Sequence, residues 1–241
     1  MTESCPYCGL VTLAPCGTLQ QSQSCPHMPG AVFTSGPFTG LRKWAYGVIY
    51  ADPAWDYETW SDKGKDRSAS KHYDVMGLEA MKELPVRDLA AKDCVLLMWT
   101  TDTHLFQSRE LMAAWGFEYK TVGFHWAKVQ PGRLDRPVGD PGAFFMGMGH
   151  WTRANPEICL LGVRGKPKRK SGGVRRLIVS ELREHSRKPD EAYDRIEKLV
   201  DGPYVELFSR TERPGWDSWG NQVGLFDRLD PVELAKIQEL V

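Results

Sequence analysis

Six β-favouring runs, four of them short and apolar, separated by stretches with helical spacing, constrain this chain more than any other feature. They are Tyr46 to Ala51, Val95 to Thr100, Phe117 to Val129, Ile158 to Val163, Val174 to Leu182 and Tyr204 to Ser209. Short apolar runs of this kind read as strands buried on both faces, as in a largely parallel sheet. Between them, Glu79 to Asp93 carries helical spacing around Pro85. Thr103 to Trp115 places Leu105, Leu111, Met112 and Trp115 on one side and stops at Gly116. Pro189 opens another helix, with Asp190 and Glu191 in its first turn, Tyr193, Ile196, Leu199 and Val200 as its buried stripe, and Gly202 as its stop. Pro231 to Val241 reads as a short terminal helix. Strands alternating with helices predict an α/β fold around a central, mostly parallel sheet.

The 241 residues suit one ordinary domain with a small appendage. The main domain is expected over 41–241, preceded by a Gly, Pro, Ser and Thr-rich linker over 31–40 and a Cys-rich segment over 1–30. Thirty-one basic and 31 acidic side chains cancel, which argues against a chain that coats nucleic acid by bulk charge. No apolar run approaches the roughly 20 residues that cross a bilayer, so no membrane partner is expected. The first Lys or Arg is Arg42, which leaves no secretory n-region and favours a cytoplasmic location.

Four of the six cysteines crowd the start. Cys5 and Cys8 form a Cys-x-x-Cys-Gly turn, followed by Cys16, Cys25 and His27. Four of these five could close a tetrahedral structural zinc site, letting a piece too small for its own core fold. Free thiols on a frayed end, or a disulfide pair, are the alternatives. Cys94 and Cys159 sit in apolar runs and read as core.

The chemistry is expected at Asp52-Pro53-Ala54-Trp55, directly after the first strand, because ligands of open α/β sheets bind beyond the carboxyl ends of strands. An exocyclic amine such as adenine N6 is a poor nucleophile, its lone pair being delocalised into the ring. A carboxylate (Asp52) and a backbone carbonyl (Pro53) set side by side would accept both N–H bonds and favour positive charge on nitrogen in the transition state. Trp55 could stack on the base. A strand-ending turn with Trp55 in the core is the plain alternative.

The four residues resemble the Asp-Pro-Pro-Trp signature of the MT-A70-like family of adenine-N6 methyltransferases, bacterial or phage type. Three further stretches agree in order. They are Gly149 to Glu157, resembling the family segment near the substrate entrance; His185 to Glu191, containing Lys188-Pro-Asp-Glu; and Glu206 to Arg210 with Gly215 to Gln222. The resemblance spans Leu41 to Val223 and implies a Rossmann-like fold using S-adenosylmethionine. It assigns Asp52 as catalytic carboxylate beside the cofactor amine and Lys188 to the cofactor carboxylate. The backbone of Leu207 and Phe208 falls along the adenine, and Arg210, Asn221 and Gln222 at the ribose and adenosine. Ala54 departs from the family's second proline, which puts the stiffness of the turn in question.

Arg164 to Arg176 carries seven basic residues and no acids. Beside a base-modifying site it is expected to track phosphates; alone it would be a solvated loop. The Ser61 to Lys71 loop is a second candidate contact. The expected function is adenine-N6 methylation of DNA. The same reaction on RNA, or a zinc-bearing nucleic-acid-binding subunit without catalysis, are the rivals. The oligomeric state is open.

Overall fold

The computed structural model describes residues 29–55, 76–137, 139–149, 151–184 and 187–228. It also describes a small ladder in which β1 (Glu3–Ser4) pairs antiparallel with β2 (Val11–Thr12). Seven further strands form one sheet: β3 (Tyr46–Ala51), β4 (Ala90–Thr100), β5 (Glu118–Val129), β6 (Glu157–Arg164), β7 (Leu177–Glu181), β8 (Tyr204–Leu207) and β9 (Trp216–Trp219). Their order is β7-β5-β6-β4-β3-β8-β9. β3 lies parallel to β4 and β8, β5 to β7, and β8 to β9, whereas β6 runs against both of its neighbours. The mostly parallel α/β sheet expected from the apolar runs is present, with one reversed strand inside it.

Strand periodicity divides the core into two layers. Ile49, Ala51, Leu96 and Met98 face one way, toward Met81 of α1 (Leu78–Glu83), Val86 and Leu89 of α2 (Val86–Leu89), and Leu111 and Met112 of α3 (Leu105–Ala114). Val48, Tyr50, Leu97 and Trp99 face the other way, toward Ala192, Tyr193 and Ile196 of α4 (Glu191–Leu199). Each such side chain contributes about 1.5–3 kcal/mol when fully buried. Both faces of β3 and β4 are therefore covered, which fixes the level at which Asp52 emerges. A last short helix, α5 (Leu225–Arg228), follows β9.

Three sequence expectations are corrected. The Glu79 to Asp93 stretch is helical only as far as Leu89; Ala90 already pairs with Tyr46, so sheet pairing overrides the helical spacing from that point. The segment read as a linker is packed: Phe33, Phe38 and Leu41 belong to the core, and the Trp219 indole N–H donates to the Pro37 carbonyl at 2.6 Å. Trp216–Trp219, read only as part of a binding segment, is an edge strand. The Cys5, Cys8, Cys16, Cys25 and His27 cluster, the Ser61 to Lys71 loop and the Pro231 to Val241 helix lie outside the described residues. Among the described residues, no helix is long and apolar enough to cross a membrane.

Candidate active site

Parallel pairing brings the carboxyl ends of β3, β4 and β8 to one edge. Ala51 sits opposite Met98 on one side and Leu207 on the other, so Asp52 leaves the centre of the sheet flanked by two strand ends. Its amide donates to the Leu207 carbonyl at 3.4 Å. Because β6 is reversed, its first residue, Glu157, arrives at this same edge, two places beyond Cys159, the partner of Trp99. The fourth participant, Lys188, comes from the connection between β7 and α4. Arg183 fixes that connection by donating to both Asp190 oxygens at 2.6 and 2.8 Å and to the Lys188 carbonyl at 3.0 Å.

These elements assemble an alternating charge cluster. Lys188 Nζ lies 2.8 Å from Asp52 Oδ2 and 3.0 Å from Glu157 Oε2, and Lys128 Nζ lies 2.5 Å from Glu157 Oε1. Two carboxylates and two ammonium groups cancel, as partly desolvated charges must. Burial pushes the Asp52 carboxyl above its ordinary pKa, against the pull of Lys188. Burial would raise Glu157 too, but Lys188 and Lys128 hold it down to about 2. Burial would lower Lys188, yet the charges of Asp52 and Glu157 hold it well above the ordinary lysine value. Asp52 nonetheless keeps 23% of its side chain exposed, so the carboxylate is reachable from outside.

The turn after Asp52 is braced by its own main chain. Trp55 N–H donates to the Pro53 carbonyl at 2.8 Å, and the Ala54 carbonyl accepts from Met76 N–H at 3.1 Å. These two bonds supply restraint where a second proline would. A carbonyl oxygen has two lone pairs, so Pro53 retains one acceptor site. Trp55 departs from the base-stacking expectation. It is only 5% exposed, its indole donates to the Trp99 carbonyl at 3.3 Å, and its ring stacks on His104 at 5.1 Å and 19°. It is a wall beneath the turn, packed on a histidine that the sequence offered no reason to single out.

The second half of the site follows β8. Phe208 has a φ of 63°, a left-handed conformation uncommon for a non-glycine residue, and its ring meets Trp219 edge-on at 5.3 Å. Leu207 pairs with Trp219, so Asn221 and Gln222 come off β9 at the edge where Phe208 leaves β8. Gly220 makes this possible. A β-carbon there would lie 2.6 Å from the Ser209 carbonyl oxygen and 2.8 Å from its nitrogen. Arg210 follows closely enough for its charge to favour ionised Asp52. The structure thus brings Asp52, Pro53, Lys188, Leu207, Phe208, Arg210, Asn221 and Gln222 to one edge of the sheet.

Glu157 and Lys128 were not singled out by sequence reasoning as members of the site. The available signal was a charged residue opening the apolar run Ile158 to Val163. Glu206 was also missed. It is buried on β8 behind the site, accepts from Tyr193 Oη at 2.9 Å, lies 2.8 Å from Ser209 Oγ, and burial raises its pKa to about 7. The Arg164 to Arg176 run begins away from Asp52, and only its last residue, Arg176, whose carbonyl accepts from His125 N–H, returns to the level of Ile158 on the β7 side of the sheet. Arg164 pairs with Cys94 and Ile158 with Thr100, so the run leaves β6 at the end of the sheet opposite the site, about 20 Å along the strand. There Lys170 pairs with Asp201 at 2.9 Å and donates to the Glu197 carbonyl.

A carboxylate at the carboxyl end of central strand β3, with the turns after β8 and β9 at the same edge, in an α/β sheet of this order, is consistent with a Rossmann-like methyltransferase fold. The MT-A70 family model matches residues 46–222, and the chain belongs to that family. A type II methyltransferase, M.MunI, from Mycoplasma sp is 34% identical over 204 residues, which are 77% of this chain and 81% of that protein. The N(6)-adenosine-methyltransferase catalytic subunit METTL3 of Homo sapiens is 31% identical over 198 residues, 80% of this chain but 31% of that protein. An Arabidopsis thaliana N(6)-adenosine-methyltransferase MT-A70-like protein is 31% identical over 181 residues, 74% of this chain and 24% of that one. The chain therefore spans most of the first relative and a third or less of the other two. Membership of this family implies S-adenosylmethionine as methyl donor.

Proposed function

We propose that this protein methylates N6 of adenine in DNA, with the base turned out of the duplex to reach Asp52. The observation that carries the reading is the partly exposed Asp52 carboxylate at the carboxyl end of β3, with Lys188 2.8 Å away and the Pro53 carbonyl next along the turn. Adenine N6 needs two acceptors, and this turn offers two in a braced geometry. Asp52 keeps free acceptor capacity after pairing with Lys188, because a carboxylate has about four lone-pair sites. On accepting a methyl group from the donor, N6 would have to lose one proton. Asp52, its proton affinity raised by burial, is placed to pass that proton to solvent.

The residues fit the donor. Its amino-acid end carries an ammonium and a carboxylate, and Asp52 with Lys188 presents the opposite charges in one pair. Glu157, also paired with Lys188, would keep that ammonium charged were Asp52 engaged by the donor amine. Arg210, Asn221 and Gln222 would supply polar groups to the ribose and adenosine, and the Leu207–Phe208 backbone would border the adenine. When bound, S-adenosylmethionine supplies a methyl group on a positively charged sulfur. Trp55 acts from behind, holding the Asp52 turn in place.

The DNA assignment is supported by build, since the chain matches four fifths of a compact type II methyltransferase and under a third of METTL3. Labelled-donor assays on DNA and RNA oligomers, read by the masses of the nucleosides, test it. N6-methyladenine only on RNA would reject the DNA reading. Asp52→Ala should abolish transfer with the fold intact, and near-normal turnover would reject its role. We further propose that four of Cys5, Cys8, Cys16, Cys25 and His27 hold a structural zinc ion. Less than half an equivalent of zinc in the purified protein would reject that.

A further inference from the structure

We infer that the tip of the β5–β6 connection is an apolar wedge that fills the gap left in a DNA duplex when the target base swings out. This deepens the adenine-methylation reading and rests on it. The base of this loop is tied to the active site. Asn155 bonds both ways with the Lys128 main chain, accepting from its N–H at 3.0 Å and donating to its carbonyl at 2.8 Å. It also donates to the Phe145 carbonyl at 2.6 Å. Lys128 in turn pairs with Glu157 in the charge cluster. Above this anchor the two arms close on each other. Gly147 N–H donates to the Ala154 carbonyl at 2.8 Å, and Ala154 N–H to the Met148 carbonyl at 3.2 Å. The turn is tight, since a β-carbon on Gly149 would overlap the Thr152 carbonyl.

Beside Thr152 and Arg153, this braced loop exposes three large apolar side chains to solvent. Trp151 is 93% exposed, the highest of the large apolar residues among those described, and Met146 and Met148 are 71% and 56% exposed. Water disfavours such a patch unless something covers it. From Phe144 to Pro156 the sequence holds one arginine, Arg153, and no acid. An aromatic, two thioethers and a cation suit base faces next to phosphates, because every base offers a π-face and the backbone is anionic. Apolar side chains inserted between base steps offset part of the unstacking cost. The base of the loop is joined through Lys128 and Glu157 to the charge cluster that holds Asp52, so a duplex engaged at that site would meet the wedge in the same encounter.

The test needs neither the recognition sequence nor turnover. Affinity for a short mixed-sequence duplex bearing one abasic site is measured against the same duplex intact, by fluorescence anisotropy. Wild type should prefer the abasic duplex by about tenfold, the worth of one stacked base. Trp151→Ala should lose that preference and Trp151→Phe should keep most of it, both with unchanged thermal unfolding. No preference in wild type, or equal preference in Trp151→Ala, would overturn the wedge. So would a sedimentation shift from dimer to monomer in Trp151→Ala with the preference intact, which would make the loop a subunit interface. A protein that keeps a Trp151-dependent preference but never methylates adenine would sink the methylation reading alone. One that methylates adenine without such a preference would sink the wedge alone.

Discussion

Replacing Glu206 by Gln should flatten the dependence of stability on pH. Ser209 Oγ lies 2.8 Å from Glu206 Oε2 and 2.6 Å from the Thr211 carbonyl, both acceptors if Glu206 is ionised. A hydroxyl carries one proton and cannot serve both. A protonated Glu206 resolves the conflict. It donates to Ser209 Oγ, which donates to Thr211, while the other oxygen accepts from Tyr193. This agrees with a pKa raised by burial from the ordinary 4.5 to about 7. Because the folded state binds the proton more tightly, the stabilising contribution is complete below about pH 4.5 and is lost as pH rises through 7. The full loss is about 3 kcal/mol at about 1.4 kcal/mol per tenfold change in proton affinity. Glutamine keeps both hydrogen bonds, its amide replacing the acid O–H. Urea unfolding at pH 5, 6, 7 and 8 should therefore show wild type losing about 2 kcal/mol more than Glu206→Gln across that range. Parallel curves for the two proteins would refute the buried neutral acid.

Lys188→Met should destabilise the fold by about 3 kcal/mol, since it leaves Asp52 and Glu157 without their shared cation. Adding Glu157→Gln should restore part of the loss in chemical denaturation, and strict additivity would argue against the cluster. Gly220→Ala should cost about 1–3 kcal/mol through its clash with the Ser209 backbone and weaken donor binding by calorimetry. A wild-type affinity would place the turn outside the donor site. Neutralising Lys168 and Arg169 should leave the salt slope of DNA binding unchanged, because their run starts at the far end of β6. Arg153→Gln should lower that slope by about one. The reverse pattern would restore the basic run as the phosphate track.

Much of this fold is legible in the sequence because its strands are buried on both faces. Tyr46–Ala51 and Val95 to Thr100 are continuous apolar runs, and their ends mark where Asp52 emerges. The reversal of β6 is not legible, because an apolar run carries no direction. Only the long glycine-containing connection Gln130 to Pro156, with no crossover helix, hints that the strand returns antiparallel. Of the proposed site, Asp52 was expected from its place after the first strand, and Lys188 and the Phe208 and Asn221 turns from the family motifs. The pairing of Lys188 with Glu157 depends on topology across 31 positions, which local pattern cannot encode. Trp55 illustrates a different limit. A tryptophan after a strand suits a binding face or a core equally well, and the packing partner, His104, decides it.

The segment before β3, with the first residue of β3 itself, is fastened to edge strand β9. Tyr46 Oη donates to Asp217 at 2.5 Å, Arg42 binds the same oxygen at 2.9 Å, and Phe38 packs against Trp219. Residues 31–42 thus work as a strap that holds β9, and with it the Gly220 turn, at the correct height. A shortened version beginning at Leu41 would keep every motif residue yet cut that strap. The unit that positions the site therefore starts about ten residues earlier than its motifs suggest.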